Sequence, residues 1–388
     1  MRITQMINIL LLLFILTSTR CSDGTFFKNK KSEIEEKNNY SPEFNPLKKS
    51  YIRNKKRVIK SFYKNELKRR FNGQFLVAKN GKVLYETFNG FSNYKSKEKI
   101  NFKTPLHLAS VSKTATSIAI MRLVDQKKLL LNEDIRNYIP EIPYEGISVR
   151  MLLNHRSGIP YYGYFTYGIW PLGKTLTNKD IVLLLNKHKL PLNFNVNKHF
   201  AYCNTNYALL ALIIENVTNM RFPDAMKELI FKPLGMKNSF ILDYNQNRDK
   251  LSISYNPGFS PYPFDYLDAI YGDKNMYSTV HDLLKMDKAT YCDSFLSKNA
   301  KKEIFKGYSY EKSGSKNYGL GFRMFEEEGK DTYFYHTGWW HGNTSCYASL
   351  RADTVCILAL SNVFDRRVYR INRLSTHFGN YPFESIDY

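Results

Sequence analysis

The stretch Leu108-Ala-Ser-Val-Ser-Lys-Thr114 decides the fold of this 388-residue chain. The residues that follow, from Ala115 to Val124, are apolar on nearly every side of a helix, which predicts a buried helix that begins near Ser110. Residues three apart share one helix face, so the Lys113 amine is placed beside the Ser110 hydroxyl. A serine hydroxyl needs a base to remove its proton, and a lysine amine withdrawn from water can act as that base. Ser110 is therefore a candidate nucleophile, with Lys113 as its partner.

The S-x-x-K spacing is weak by itself, because it occurs six times, beginning at Ser61, Ser92, Ser96, Ser110, Ser309 and Ser313. Only the string at Ser110 opens a long apolar helix, whereas the others lie in charged or turn-like stretches. Unpaired backbone N–H groups at the start of that helix would favour an oxyanion. The alternative is that Ser110 is only a helix N-cap, a role that stabilises a helix by about 1 kcal/mol.

A second candidate element is Tyr202-Cys203-Asn204, just before an apolar helix predicted over Tyr207–Val217. A phenol surrounded by cations can accept a proton and return it to a leaving group. An amide can bridge a lysine and a substrate carbonyl. Tyr63-Lys64-Asn65 matches the same pattern, so the alternative is a tyrosine packed at a helix start.

A third element, His336-Thr337-Gly338, ends an apolar strand and precedes Trp339-Trp340-His341-Gly342. Glycine on a strand lets another backbone lie close against it. The alternative is a strand-end turn with a structural histidine. His336 and His341 also suggest a metal pair, but the sequence offers no third ligand cluster, so no metal site is expected.

Strand patterns frame these elements at both ends of the chain. Gln74–Lys79 and Lys82–Phe88 flank Asn80-Gly81, a dipeptide suited to a two-residue hairpin turn. Three further strands are predicted, over Tyr333–His336, Thr344–Leu350 and Thr354–Leu360, followed by a charged helix at about 365–377. Residues from about 140 to 265 predict a mainly helical insertion. The fold class is therefore α/β (α+β): an antiparallel sheet flanked by helices and split in sequence by that insertion.

The order S-x-x-K, Y-x-N, H-T-G resembles the motif set of the serine β-lactamase/penicillin-binding-protein superfamily, which includes D-alanyl-D-alanine peptidases and related esterases. From about residue 55 to 365 the chain is similar to the class C β-lactamase branch. The segments that carry this similarity are Phe75–Tyr85, Leu108–Thr114, Leu131–Pro140, Leu152–Pro160, Pro233–Met236 and Met276–Leu283.

The resemblance implies that Ser110 is acylated by a carbonyl substrate and that Lys113 and Tyr202 share the general-base and general-acid work. It further implies that Asn204 orients Lys113 and the substrate, and that the backbone N–H groups of Ser110 and Trp339 form the oxyanion hole. The substrate-binding residues that it implies are Asn204, His336, Thr337, Gly338 and Trp339. It implies neither a metal nor an organic cofactor, and the partner is a small-molecule or peptide substrate.

Two positions depart from the class C pattern. His336 stands where those enzymes usually carry lysine, and Val196-Asn197 stands where they usually carry Pro-Gly. Because a neutral imidazole holds a carboxylate less well than an ammonium does, we expect esters or D-amino-acid peptides to be better substrates than cephalosporins. We also expect that His336→Lys narrows the gap. Asn197 tolerates a left-handed backbone, so the turn is expected to survive.

Aromatic residues are concentrated in two segments that we expect to line the cleft. They are Tyr161, Tyr162, Tyr164, Phe165, Tyr167, Trp170, Trp339 and Trp340. Four widely spaced cysteines, Cys203, Cys292, Cys346 and Cys356, fit no zinc template and are expected to be isolated thiols.

The N-terminal segment predicts export. Residues 1–21 combine Arg2, an apolar run and a lone Cys21, as in a bacterial lipoprotein signal peptide with Cys21 lipidated. Residues 22–50 are polar and predict a tether, which leaves 51–388 as the folded domain. The expected location is the periplasm or cell envelope, with membrane attachment through the N-terminal lipid.

The formal net charge is +22, and Lys48–Arg70 holds eleven Lys/Arg against the single acid Glu66. Apolar residues recur there at helical spacing, so the stretch predicts a solvated amphipathic helix packed on the domain, and no nucleic-acid partner is expected. Two other functions remain open: a non-catalytic penicillin-binding-like sensor or scaffold, and a basic cell-wall or nucleic-acid binding module. The oligomeric state is also open.

Overall fold

The computed structural model describes residues 40–171, 173–244, 246, 248 and 251–384. The α-helices are α1 (Lys49–Phe62), α2 (Ser112–Asp125), α3 (Val149–Leu153), α4 (Tyr162–Phe165), α5 (Asn178–His188), α6 (Asn204–Thr218), α7 (Phe222–Met226), α8 (Val280–Ala289) and α9 (Lys298–Ile304). The strands are β1 (Gly73–Lys79), β2 (Lys82–Asn89), β3 (Phe91–Asn93), β4 (Glu98–Lys99), β5 (Leu106–His107), β6 (Phe240–Ile241), β7 (Met276–Ser278), β8 (Lys316–Tyr318), β9 (Arg323–Phe325), β10 (Tyr333–Trp340), β11 (Asn343–Leu350) and β12 (Val355–Ser361). The expected signal peptide and Cys21 lie outside the described residues.

Strands from the two ends of the chain form one antiparallel sheet. In the part of the chain that the structure describes, the sheet has seven strands in the order β2-β1-β12-β11-β10-β9-β8. Gly73 of β1 lies opposite Ser361 of β12, and Gly338 of β10 lies opposite Ser345 of β11. This topology confirms the predicted antiparallel sheet, which is interrupted in sequence by the helices.

The turn between β1 and β2 has the conformation that its residues favour. Asn80 has φ of 49° and Gly81 has φ of 67°. Positive φ at both central positions is the requirement of a type I′ hairpin turn, whose twist matches that of the flanking strands.

The sheet is covered on both faces. Phe62 of α1, Phe75 of β1 and Leu374 of a 3₁₀ helix (Arg366–His377) belong to one buried cluster. The predicted closing helix is thus present in the tighter 3₁₀ form. The second, larger cluster joins α2 and α6 to the other face of the sheet, and residues along nearly the whole of α2 are buried. Ser110 precedes α2 and is positioned by this central, rigid helix.

The expected tether boundary at residue 50 is too late. The ring of Tyr40 lies 5.1 Å from that of Phe295, and the ring of Phe44 lies 5.5 Å from that of Tyr291. These edge-to-face contacts hold the chain on the domain ahead of α1, because two apolar rings find partners there.

Among the described residues, no helix has both the length and the apolar character needed to cross a membrane. The four cysteines of this region are unpaired thiols, and Cys203, Cys346 and Cys356 are buried.

Candidate active site

Ser110 lies on a strained turn that leads into α2. The preceding residue, Ala109, has φ of 47°, a left-handed conformation that is unfavourable for any residue with a Cβ. The Ala109 N–H donates to His107 Nδ1 at 3.0 Å, and Ser345 Oγ donates to the carbonyl of Leu108. Such strain persists only where the surroundings fix it, and it is concentrated at functional sites. The turn therefore holds the Ser110 hydroxyl in one place.

Lys113 is in direct contact with this hydroxyl. Its Nζ donates to Ser110 Oγ at 3.0 Å and to the backbone carbonyl of Asp273 at 2.7 Å. The side chain is fully buried and its Nζ lies over the rings of Tyr202, at 5.1 Å, and Tyr207, at 5.6 Å. This geometry allows a proton to pass between Ser110 and Lys113 without a bridging water.

Tyr202 has an unengaged phenol oxygen beside the lysine. Its oxygen is buried and has no hydrogen-bond partner in the described part of the chain. The Arg323 guanidinium lies 4.6 Å from the ring centroid. The ring of His155 packs on it at 4.4 Å. A polar atom buried without a partner is costly, and one placed next to Lys113 is ready to bond to a reacting group.

Asn204 begins α6, but it does not hold Lys113 as expected. Lys113 Nζ bonds to Ser110 Oγ and to the Asp273 carbonyl instead. The Asn204 Oδ1 atom is buried and without a partner among the described residues. Burial raises the pKa of the neighbouring Tyr161 to about 12, and its contact with Asn204 opposes that rise. Asn204 is thus free to accept a hydrogen bond from a substrate.

His336 is placed behind the site rather than on its open edge. It is fully buried, its Nδ1–H donates to the Thr337 carbonyl at 2.8 Å, and its Nε2 accepts from the Tyr318 hydroxyl at 3.1 Å. Burial, followed by the charges of Arg323 and Lys113, lowers its pKa well below the usual value. A neutral ring with both nitrogens engaged has no valence for a substrate, so the expected direct contact is not made in this conformation.

Gly338 brings β10 against the turn of Leu108–Ser110. A Cβ at this position would overlap the Leu108 carbonyl and Ser345 Oγ, and would lie 3.0 Å from Ala109 Cβ. Strand β9 pairs with β10 only as far as Tyr335, so the following stretch, which includes Thr337 and Trp339, forms the edge beside Ser110. The Trp339 side chain is 63% exposed. Thr337, Gly338 and Trp339 are therefore the edge-strand residues next to the turn of Leu108–Ser110.

Residues 59–376 match the protein family described as Beta-lactamase. The chain belongs to this family. It is 30% identical over 311 residues to Penicillin-binding protein 4* of Bacillus subtilis (strain 168), which covers 76% of this chain and 69% of that protein. Among the curated relatives it matches, the share of their length that it spans falls as low as 35%.

Two solved structures share the fold of this Beta-lactamase-family chain. A penicillin-binding protein from Bacillus halodurans has a TM-score of 0.72 at 21% identity, over 82% of this chain and 99% of that one. A class C β-lactamase has a TM-score of 0.67 at 18% identity, over 85% and 96%. These findings confirm the superfamily and the fold predicted from the motifs.

In this family member, His155 anchors the Tyr202 loop, a role that the sequence did not reveal. Its Nδ1 accepts from the N–H of Cys203 at 3.2 Å and is 3.3 Å from Asn206 Nδ2, and its carbonyl accepts from the N–H of Ala201 at 3.0 Å. Burial, followed by the charges of Lys113 and Arg323, lowers its pKa well below the usual value. A neutral imidazole thus fixes the loop that carries Tyr202. His155 lies inside the Leu152–Pro160 segment, so the segment itself was the available signal.

The aromatic segment after Gly158 divides into exposed and buried members. Tyr164 and Tyr167 are 81% and 82% exposed, whereas Tyr162 is fully buried. The expectation that Tyr162 lines the cleft is therefore wrong, because its hydroxyl bonds to Asp273 inside the protein. Asn197 has φ of 61°, the left-handed conformation anticipated for this turn.

One cluster of metal-ligating side chains is present within the described residues, and His336 is not part of it. Ligand atoms of Asp265, Asp268 and His341 lie within 4.8 Å of one another. Both Asp268 oxygens are 3.1 Å from His341 Nε2, and one accepts from Trp340 Nε1 at 2.6 Å. Burial opposes protonation of His341, but its hydrogen bonds to Asp268 outweigh this and raise its pKa. Asp268 and His341 therefore form an ion pair.

Proposed function

We propose that the protein is a serine hydrolase that acts on an amide or ester carbonyl through an acyl-enzyme at Ser110. The observation that carries this proposal is the 3.0 Å hydrogen bond between Lys113 Nζ and Ser110 Oγ at the start of a buried helix. A buried amine beside a hydroxyl on a strained turn is suited to nucleophilic catalysis. A helix N-cap would need neither the lysine nor the strain.

The proposed reaction has two halves. Ser110 Oγ forms a bond to the substrate carbonyl carbon while its proton passes to Lys113 or Tyr202. The same pair returns a proton to the leaving amine or alcohol as the tetrahedral intermediate breaks down to the acyl-enzyme. Water then takes the place of the leaving group, releases the acid and restores Ser110.

The carbonyl oxygen would develop negative charge against the backbone N–H groups of Ser110 and Trp339. The close approach of Gly338 to Leu108 and Ala109 supports this pairing of donors. A single oxyanion-hole donor contributes about 3–4 kcal/mol to the stability of the transition state.

The rim of the site favours a substrate with aromatic or acyl character. The rings of Tyr164, Tyr167 and Trp339 are exposed, and a cavity of about 720 Å³ next to the α4 segment is lined by Tyr167, Trp170 and Phe264, with Lys174 and Asp265 among its polar groups. Aromatic walls with a few placed polar groups suit acyl chains or peptide side chains. A D-alanyl-D-alanine-type peptidase or an esterase is therefore proposed ahead of a β-lactamase.

The test is intact-mass spectrometry after treatment with a fluorophosphonate or a penicillin. We expect one adduct, on the peptide that contains Ser110, and none in Ser110→Ala. Ser96→Ala is the matched control, because Ser96 is exposed and also begins an S-x-x-K string. Labelling that persists in Ser110→Ala would overturn the proposal.

Turnover separates an enzyme from the alternative of a penicillin-binding-like sensor. An enzyme releases the acid from an aryl ester many times per molecule, whereas a sensor stops after one equivalent. We expect multiple turnovers, and a single burst with no steady state would favour the sensor.

A further inference from the structure

A second buried lysine lies next to the catalytic centre. Lys274 is 2% exposed, its Nζ donates to the Tyr162 hydroxyl at 2.8 Å, and it lies 3.6 Å from Asp273 Oδ2. The ammonium also faces the rings of Tyr162, at 5.1 Å, and Trp340, at 4.7 Å. A lysine so removed from water is rare unless it is paired.

Asp273 links this lysine to Lys113. Its backbone carbonyl accepts from Lys113 Nζ at 2.7 Å, and its Oδ2 accepts from the Tyr162 hydroxyl at 2.6 Å. Its other carboxylate oxygen is buried and has no partner among the described residues. One residue therefore touches the catalytic lysine through its backbone and the second lysine, by way of Tyr162, through its side chain.

The charges around the two lysines are few. Burial lowers the pKa of His155 and His336 and raises that of Tyr162, Tyr207 and Tyr318, so these five side chains are neutral at pH 7. Burial lowers the pKa of Lys274 as well, with Asp273 opposing. The remaining titratable groups that face the pair are His107, Tyr161, Tyr202, Cys203, Asp265, Asp268, Arg323 and His341. Three carboxylates act on Lys274, in the order Asp273, Asp268 and Asp265, and Asp268 is also ion-paired with His341. Asp273 has the largest effect of the three, and its backbone carbonyl also bonds to Lys113.

We propose that Asp273, Tyr162 and Lys274 form a buried charge device that sets the pH range in which Lys113 exchanges a proton with Ser110. The inference rests on the proposed function. When Ser110 Oγ bonds to the carbonyl carbon, its proton converts the Lys113 amine to an ammonium, and the Asp273 carboxylate favours that ammonium. Lys274 offsets part of this attraction, so Lys113 can release the proton to the leaving group. Lys274 is thus a positioning residue that acts through Asp273 and does not touch the substrate.

Asp273 and Lys274 have opposite effects on the ammonium form of Lys113, so removing each charge is expected to shift the pH dependence in opposite directions. Asp273→Asn removes the charge that favours the Lys113 ammonium, so the acid limb of kcat/KM moves to lower pH. Lys274→Met leaves Asp273 uncompensated, so the acid limb moves to higher pH. Each shift of the acid limb is expected to be about one pH unit, the lower end of what a neighbouring charge produces. The double variant returns the limb towards its wild-type position.

The measurement is the pH dependence of kcat/KM for an aryl ester and of the labelling rate at Ser110. Lys274→Arg keeps the charge and is expected to keep the acid limb, which guards against a variant that fails to fold. Lys302→Met is the matched surface control, because Lys302 is exposed. Shifts in the same direction, or folded variants with an unmoved limb, would overturn the inference. Failure of the proposed function is distinct, since it appears in wild-type protein as no adduct at any pH.

Discussion

Replacing Gly338 with alanine tests whether β10 supports the nucleophile. The backbone at Gly338 is not left-handed, so alanine meets no conformational penalty there, and the effect of the added Cβ is purely steric. It would overlap the Leu108 carbonyl and Ser345 Oγ, and β10 must move away by about 1 Å to relieve this. That displacement separates the Trp339 N–H from the oxyanion. We expect kcat/KM for an aryl ester to fall about 10²–10³-fold, equivalent to about 2.7–4 kcal/mol.

The assay needs a control for folding and one for the substitution itself. Circular dichroism and the urea midpoint establish that Gly338→Ala is folded. Gly258→Ala is the matched control, because a Cβ there meets only Asn256 Oδ1, at 3.3 Å, and the residue is exposed. A folded Gly338→Ala protein with kcat/KM within threefold of wild type would refute the assignment of the oxyanion hole to this strand.

Three further predictions concern charge and attachment. His336→Lys places another basic group next to Lys113 and Arg323 in a fully buried site. Contrary to the expectation from the motif, we therefore expect a loss of stability in urea unfolding and no gain in cephalosporin turnover. A stable variant that turns over cephalosporins faster would restore the earlier expectation. Burial lowers the pKa of His107 to about 4 and that of His155 and His336 well below 6.5. Below pH 6.5 the unfolded chain therefore binds more protons than the folded one, and each histidine lowers the free energy of unfolding by up to about 1.4 kcal/mol per pH unit. A free energy of unfolding that is flat from pH 7.5 to 5 would contradict this. Finally, Cys21→Ser is expected to move the protein from the detergent to the aqueous phase in Triton X-114 partitioning, and a protein that is aqueous with Cys21 intact would show that it is not lipidated.

The parts of the fold that were predictable are those written in local patterns. The Asn80-Gly81 turn follows from the backbone preference of two adjacent residues, and the buried helix after Ser110 follows from apolar residues on all its sides. Pairing of β1 with β12 could be inferred because each is an apolar strand whose neighbour in sequence, β2 or β11, covers only one of its two edges. The contact between Tyr40 and Phe295 could not, since a polar, irregular segment carries no sign of where its two rings will pack.

The candidate site was predictable only where its residues carry motifs. Ser110 and Lys113 are three residues apart, whereas Lys113 and Asp273 meet across 160 residues. Buried polar residues such as His155 and Lys274 follow no apolar periodicity. From a single sequence they cannot be told apart from exposed loop residues. Their role depends on the neighbours that folding supplies.

The structure also changes the interpretation of His336 in the H-T-G element. Its motif suggested a site that has lost a positive charge, because imidazole replaces an ammonium. The structure supplies that charge from the neighbouring strand: Arg323 on β9 lies opposite Tyr335 on β10, and its guanidinium stacks on Tyr202. A guanidinium stays charged at every pH at which the enzyme would work, so Tyr202 keeps a cationic neighbour while His336 stays neutral. What distinguishes this site from one with lysine on β10 is therefore the position of the cation, which lies over the phenol ring instead of facing the substrate at the strand edge.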